Sequence, residues 1–268
     1  MSTSPPLYEI YAVKYAELSR KAFGNFIGAD AHETSEMPLD YYVWAIVGEG
    51  RVFVVDTGFD AGMAAKRGRT IVNPVERGLE AIGIRHADVR DVIITHMHYD
   101  HCGNAALFEN ASFHVQDAEM EYVTGRAMCH HHINHAFEAD DVARMVKRVF
   151  AGRVVFHDGT DEIAPGITVH RIGGHTKGLQ CVRVSTRRGN VVLASDASHF
   201  YAHMETGRAF PVLYNLAELL EGYDTLYRLA SSKAHVIPGH DPLVLERYPP
   251  ASAETKGWVA RVDLDPLT

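Results

Sequence analysis

Val92-Ile93-Ile94-Thr95-His96-Met97-His98-Tyr99-Asp100-His101-Cys102-Gly103 is the stretch on which the reading of this chain turns. Its apolar start makes a short buried strand (Val92 to Thr95), and four potential metal ligands follow within six residues. In an extended segment residues two apart share a side, so His96 and His98 can converge on one ion. Asp100 and His101, where the chain turns into a helix, can face another. A single histidine in such a loop is an ordinary solvated residue, whereas four ligand types at the end of a rigid strand point to cations. Three more ligand residues arrive later, each at a strand end: His175 after Ile172-Gly173-Gly174, Asp196 after Leu193-Ala194-Ser195, and His240 after Ile237-Pro238-Gly239. The glycines before His175 and His240 let the backbone turn tightly and bring each imidazole close. Seven ligands can serve two ions.

Outward from this loop, Tyr8 to Tyr15, Tyr41 to Val47 and Arg51 to Val55 read as strands, the last two joined as a hairpin through Gly48-Glu49-Gly50. Pro74 to Ile82 has helical spacing and Phe113 to Gln116 reads as a strand. Asp117 to Phe150 reads as a mostly helical insertion between two strand-rich halves. The second half is expected to contain Val154 to Phe156, Ile167 to Ile172, Leu179 to Ser185 and Val191 to Ala194, then a helix over Leu216 to Leu229 and a strand at Ala234 to Ile237. Each half has a strand ending on an aspartate, Asp56 and Asp196, which suggests a duplicated unit. Two such halves pack sheet against sheet with helices outside, an α/β fold of four-layer αββα type in a single domain over 1–268, with a tail from Pro249.

Composition narrows the function. The 268 residues carry a formal charge of -8 and 46% hydrophobic residues, and no apolar run nears the ~20 residues of a membrane span. Nucleic acid is disfavoured as a partner, because phosphate binding draws on a basic face. Met1 to Pro6 has neither a basic start nor an apolar stretch, and Cys102, Cys129 and Cys181 form no disulfide pattern, so a cytoplasmic location is expected. The 17 histidines are an excess, and they cluster. One cluster, His130 to His132 with His135, reads as a partly exposed lining of the pocket mouth rather than a third metal site. Cys102 reads as a small buried residue. The apolar segment Ala22 to Ile27 either covers the sheet or contributes to a homodimer interface.

The His-x-His-x-Asp-His motif, with His, Asp and His on later strands, resembles the metallo-β-lactamase superfamily over roughly Tyr41 to Asp241. That resemblance implies a four-layer fold and two zinc ions, with Mn2+, Fe2+ or Co2+ as alternatives. It implies His96, His98 and His175 at the first ion, Asp100, His101 and His240 at the second, and Asp196 bridging. His98 stands where the di-iron branch usually has glutamate, which favours zinc. Asp196 argues against true β-lactamases, and only Asp241 to Thr268 follows the last histidine, too little for a glyoxalase II substrate domain. Proportions and the stretch Gly173 to Gln180 resemble the N-acyl-homoserine lactonases. In that branch a tyrosine three residues after the bridging aspartate contacts the substrate carbonyl; here His199 occupies that place and Tyr201 follows two residues later.

The resulting expectation is a dinuclear zinc hydrolase that opens the ester ring of a small lactone by attack of a hydroxide shared between the ions. Asp100 is the expected proton shuttle, His199 the expected contact to the carbonyl, and Asp56 the residue expected to orient a ligand imidazole. Phe59, Tyr201, Met204, Phe210 and Tyr214 are candidates for an apolar substrate pocket. A thioesterase or phosphodiesterase on the same scaffold is the competing reading. A non-catalytic binding module would be expected to have lost ligands, and all seven are present.

Overall fold

Strand β2 (Leu39–Gly48) shows how the architecture arises. Tyr42, Trp44 and Ile46 face one way and Tyr41, Val43 and Ala45 the other, and all six are buried. Both faces of such a strand must be covered, which in a mixed sheet means a second sheet on one side and helices on the other. The computed structural model describes residues 5–267; Met1 to Ser4, where the reading for a leader begins, lie outside them. Its first sheet contains β1 (Glu9–Leu18), β2, β3 (Arg51–Val55), β4 (Thr70–Ile71), β5 (Asp91–Ile93), β6 (Ser112–Gln116) and β7 (Val154–His157). The second contains β8 (Thr160–Ala164), β9 (Ile167–Arg171), β10 (Gln180–Thr186), β11 (Gly189–Ser195) and β12 (Val236–Pro238). A last strand, β13 (Val259–Arg261), returns to the free edge of β1.

Tyr42, Trp44, Ile46, Phe53 and Val55 share one apolar cluster with Val182, Val184 and Leu193 of the second sheet. Val43, Ala45, Val54 and Val92 share another with Val75, Leu79, Met120 and Met145 from helices. On the far side of the second sheet lies the helix Leu216–Leu229, which contributes Leu219, Tyr223 and Leu226 and is capped by Asn215. Helix, sheet, sheet and helix thus stack in four layers. The β2–β3 hairpin is closed by Glu49 and Gly50, both at positive φ (52° and 69°), the turn that matches the twist of paired strands.

Three parts depart from the sequence expectation. Val154 to Phe156, assigned above to the second half, is β7 and pairs in parallel with β6 in the first sheet. An apolar run does not name its pairing partner, and a parallel neighbour needs a long crossover, which is what residues 117–150 supply. That crossover is mostly helical, as expected, in the separate helices Asp117–Val123, His131–Asn134 and Ala139–Phe150. The tail from Pro249 is not merely terminal coil, since β13 lies in it and Asp263 accepts the Ile10 N–H at 3.0 Å. Residues 22–27 do not cover the sheet. Phe26 packs edge-on against His203 while Phe23 and Ile27 stay exposed. Among the described residues no helix is long and apolar enough to cross a membrane.

Candidate metal centre

The parallel strands β3 and β5 and their counterparts β11 and β12 end at the same place, and their carboxyl-terminal loops carry the candidate ligands. Two of these exits use strained backbone. Asp56 after β3 has φ 63° and Ser195 at the end of β11 has φ 47°, and both side chains meet Thr95 Oγ1 at 2.8 Å. Gly174 takes φ +81°, and a Cβ there would lie 2.5 Å from the Leu219 backbone, so only glycine lets the loop swing His175 inward. At Gly239 the constraint is contact rather than turn, since a Cβ would come 2.8 Å from Asp196 Oδ1.

Seven side chains expected from the sequence meet here, all buried. His96 Nε2, His98 Nδ1 and His175 Nε2 lie 2.9 to 3.2 Å apart, and Asp196 Oδ2 is 3.3 Å from His175 Nε2. On the other side Asp196 Oδ1 lies 3.3 Å from His101 Nε2 and 3.0 Å from His240 Nε2, with Asp100 Oδ2 at 3.6 Å from His101 Nε2. Ligand atoms at ~2.0–2.1 Å around a tetrahedral ion are about 3.3 Å from one another, so these spacings suit a cation on each side of Asp196.

Hydrogen bonding on the far side of each ring strengthens the case. His175 Nδ1 donates to Val212 O at 2.7 Å, His240 Nδ1 to Asp40 O at 2.8 Å and His101 Nδ1 to Asp56 Oδ2 at 2.7 Å. Carbonyl and carboxylate oxygens only accept, so each of these nitrogens holds the proton and a neutral ring turns its lone pair inward. His101 Nε2 and Asp196 Oδ1 therefore face one another as two buried acceptors, and neither has a hydrogen-bond donor. Such a contact needs a positive charge between. Burial opposes a charge on His101 and His240, yet Asp196 and Asp100 raise both above the ordinary histidine value, so a proton takes the cation's place when none is bound. Burial pushes His96 and His98 well below it, leaving both ready to coordinate.

A family model described as the metallo-beta-lactamase superfamily matches residues 37–246. The chain belongs to that superfamily. Among relatives, a probable metallo-hydrolase of Mycobacterium tuberculosis (strain ATCC 25618 / H37Rv) is 24% identical over 220 residues, 72% of this chain and 68% of the relative. An N-acyl homoserine lactonase of a Bacillus species is 25% identical over 169 residues, 62% of this chain and 58% of its own. A crystal structure of a quorum-quenching N-acyl homoserine lactone lactonase superposes with a TM-score of 0.73 at 19% identity, covering 90% of this chain and 94% of that one. The metallo-beta-lactamase fold is thereby shared.

Within this superfamily scaffold the aromatic pocket expected from the sequence is not where the cluster opens. Phe59 packs among Tyr15, Tyr41 and Tyr99, and Tyr201 lies under the Arg247 guanidinium. Phe210 stacks on the back of His199 at 3.7 Å, Met204 is buried in the core, and Tyr214 meets Tyr122 at the surface. Their places after active strands were legible but their directions were not. The cavity over the cluster, about 100 Å³, is instead bordered by Leu18, Leu39, Tyr41, Ala136 and Val212, with His135 at its rim. His131 and His132 are exposed, and His135 falls outside the short helix His131–Asn134. Cys102 is buried, its thiol donating to Met97 O.

Sequence reasoning missed Glu119. Its carboxylate, buried, accepts Met97 N–H at 2.8 Å, Thr176 Oγ1–H at 2.7 Å and Gly178 N–H at 3.0 Å, tying the His96–His98 loop to the His175 loop. The small and hydroxylated residues Thr176 and Gly178 beside His175 were the available signal. Asp56 sits where expected, receiving Thr95 N–H, Thr95 Oγ1–H and His101 Nδ1–H. Asp56→Asn turns one of these acceptors into a donor, and a chelator titration is expected to find metal affinity roughly 10–100-fold weaker. Equal retention would leave Asp56 only a turn role.

Proposed function

We infer that this chain is a dinuclear metallo-hydrolase, with zinc the ion best matched to its His/Asp ligands, that opens the ester ring of a small lactone such as an acyl-homoserine lactone. The observation that carries the reading is Asp196, whose two oxygens face two separate sets of inward lone pairs. Lactonases among the relatives support the substrate class. Bound at such ligands, a pair of divalent ions supplies Lewis acidity and lowers the pKa of water from 15.7 toward ~7.

The chain's own residues do the rest. Among the described residues no side chain or backbone N–H donates to the Asp100 carboxylate, which leaves an oxygen free to carry a proton to the departing ring alkoxide. His199 has a different task from carbonyl contact. Burial holds its imidazole well below the ordinary value, so it is neutral, and its one N–H, on Nε2, donates to Asp196 Oδ2 at 3.0 Å. It positions the bridging carboxylate. Leu18, Leu39 and Val212 keep water from the ring while the carbonyl carbon is attacked.

Ring opening of a lactone releases a proton, so a pH-indicator screen tests the reading. Acidification is expected with small lactones, to stop on chelation and to return on adding Zn2+, Mn2+ or Co2+. Acidification that persists in chelator, or a metal-loaded protein that cleaves thioesters and no lactone, would overturn it.

A further inference from the structure

One wall of the cavity over the cluster is basic. Arg20, just past β1, and Arg69, just before β4, border it together with Asp100 and Asp196, and Arg67 lines it as well. Arg67 is committed to Glu138 at 2.6 Å and to His135 O at 2.8 Å. The other two are not. Arg69 donates from Nε to Tyr99 Oη at 3.1 Å and from one terminal nitrogen to Arg67 O, but among the described residues neither it nor Arg20 has an ion-pair partner. Both are half-buried; burial and the neighbouring Arg69 charge lower Arg20 below the ordinary guanidinium value, whereas Tyr41, Tyr99 and the Asp100 carboxylate outweigh burial and raise Arg69.

This is not for want of acids, since the chain carries a net charge of -8. Around a larger cavity of about 350 Å³ at the amino ends of β3 and β5, Arg51 pairs with Asp91 at 3.0 Å and Arg85 with Asp88 at 2.5 Å. Two half-desolvated guanidinium groups with no carboxylate in ion-pair contact, beside a cation site, leave room for a ligand that brings its own negative charge. The planar fork of arginine matches a carboxylate. Cavity size sets the rest: about 100 Å³ is far below the ~300–1,000 Å³ that encloses a drug-sized ligand, which fits a short ring better than a long acyl chain.

We propose that the substrate is a small lactone bearing a second, ionised carboxylate, and that Arg20 and Arg69 select it by binding that group. The proposal rests on the lactonase reading above. Hydrolysis then adds one water across the ring C–O bond and yields a hydroxy dicarboxylate.

The test compares γ-butyrolactone-γ-carboxylate with its neutral carboxamide on the metal-loaded protein. A preference in kcat/KM of roughly tenfold or more for the carboxylate is expected, carried by KM and shrinking as salt is raised. In Arg20→Gln and in Arg69→Gln the ratio should fall toward one, with thermal midpoints reporting whether each variant is folded. A ratio near one in the wild type, which needs no variant, overturns the proposal, as does a ratio unchanged in both folded variants. If neither lactone is opened, the lactonase reading has failed, and calorimetry with glutarate decides the anion site by itself. Binding weakened about tenfold in Arg20→Gln upholds it, and equal or absent binding overturns it.

Discussion

Alanine at position 196 is expected to reduce lactone hydrolysis by at least about a thousandfold and to leave the purified protein short of metal by elemental analysis. Asp196 is the one carboxylate that faces both ligand sets, with Oδ2 toward His175 and Oδ1 toward His101 and His240. Burial works against its charge, yet His240, His101 and His199 hold its carboxyl well below the usual range. Removing it leaves two groups of imidazoles and one carboxylate, Asp100, which lies beside His101 and His240 only. His199→Ala is the informative partner. Asp196, His199 and His240 also lie close enough to share an ion, which offers an alternative ligand set. Because the His199 N–H points at Asp196, its loss should lower kcat by about 10–100-fold while both metals stay. A His199→Ala protein as poor in metal as Asp196→Ala would make His199 a ligand, and an active, metal-replete Asp196→Ala would dissolve the shared centre altogether.

The His/Asp cluster that could hold metal was legible because its residues are local: four of the seven fall in one six-residue loop, and the other three each follow a short apolar run. The helix Leu216–Leu229 was legible for the same reason, its residues being consecutive in the chain. What the sequence left open was direction and partnership. Val154 to Phe156 is a strand by composition, but only packing puts it beside β6. Phe59 follows β3 yet packs against Tyr41 in the core, because it lies in the irregular loop after the strand, where no period fixes the side chain's direction. Arg20 and Arg69 lie 49 positions apart in sequence, and only the pairing of β1 with β4 makes them neighbours. Glu119 was invisible in the acidic run Asp117, Glu119 and Glu121, which reads as a solvated helix start. Gly178 passes so close that a Cβ would sit 2.1 Å from the Glu119 nitrogen, and that contact seals the carboxylate inside.

Glu119→Ala should be the most disruptive change outside the ligands. Burial raises the Glu119 carboxyl above its ordinary value, and Thr176, Met97 and Gly178 answer by donating three hydrogen bonds to it. Truncation strands two backbone N–H groups and a hydroxyl in a buried place, at about 1–3 kcal/mol for each unsatisfied group, partly relieved by rotation of the threonine. A loss of about 3–5 kcal/mol in urea unfolding is therefore expected, and metal affinity should weaken with it because the His96–His98 loop is no longer held to the His175 loop. Glu121→Ala, two residues on, provides the contrast: its carboxylate is exposed and meets Lys177 at 3.2 Å on the surface, so its removal should stay within about 0.5 kcal/mol. Running both variants with and without zinc separates two causes. If Glu119 serves only to fill space, the isosteric Glu119→Gln will match wild type in metal affinity. If its charge and acceptor geometry hold the loops, the amide, which points a donor at a donor, will fall between wild type and alanine in both stability and metal affinity. Indistinguishable urea midpoints for Glu119→Ala and Glu121→Ala would mean that the two ligand loops are held by their strands alone.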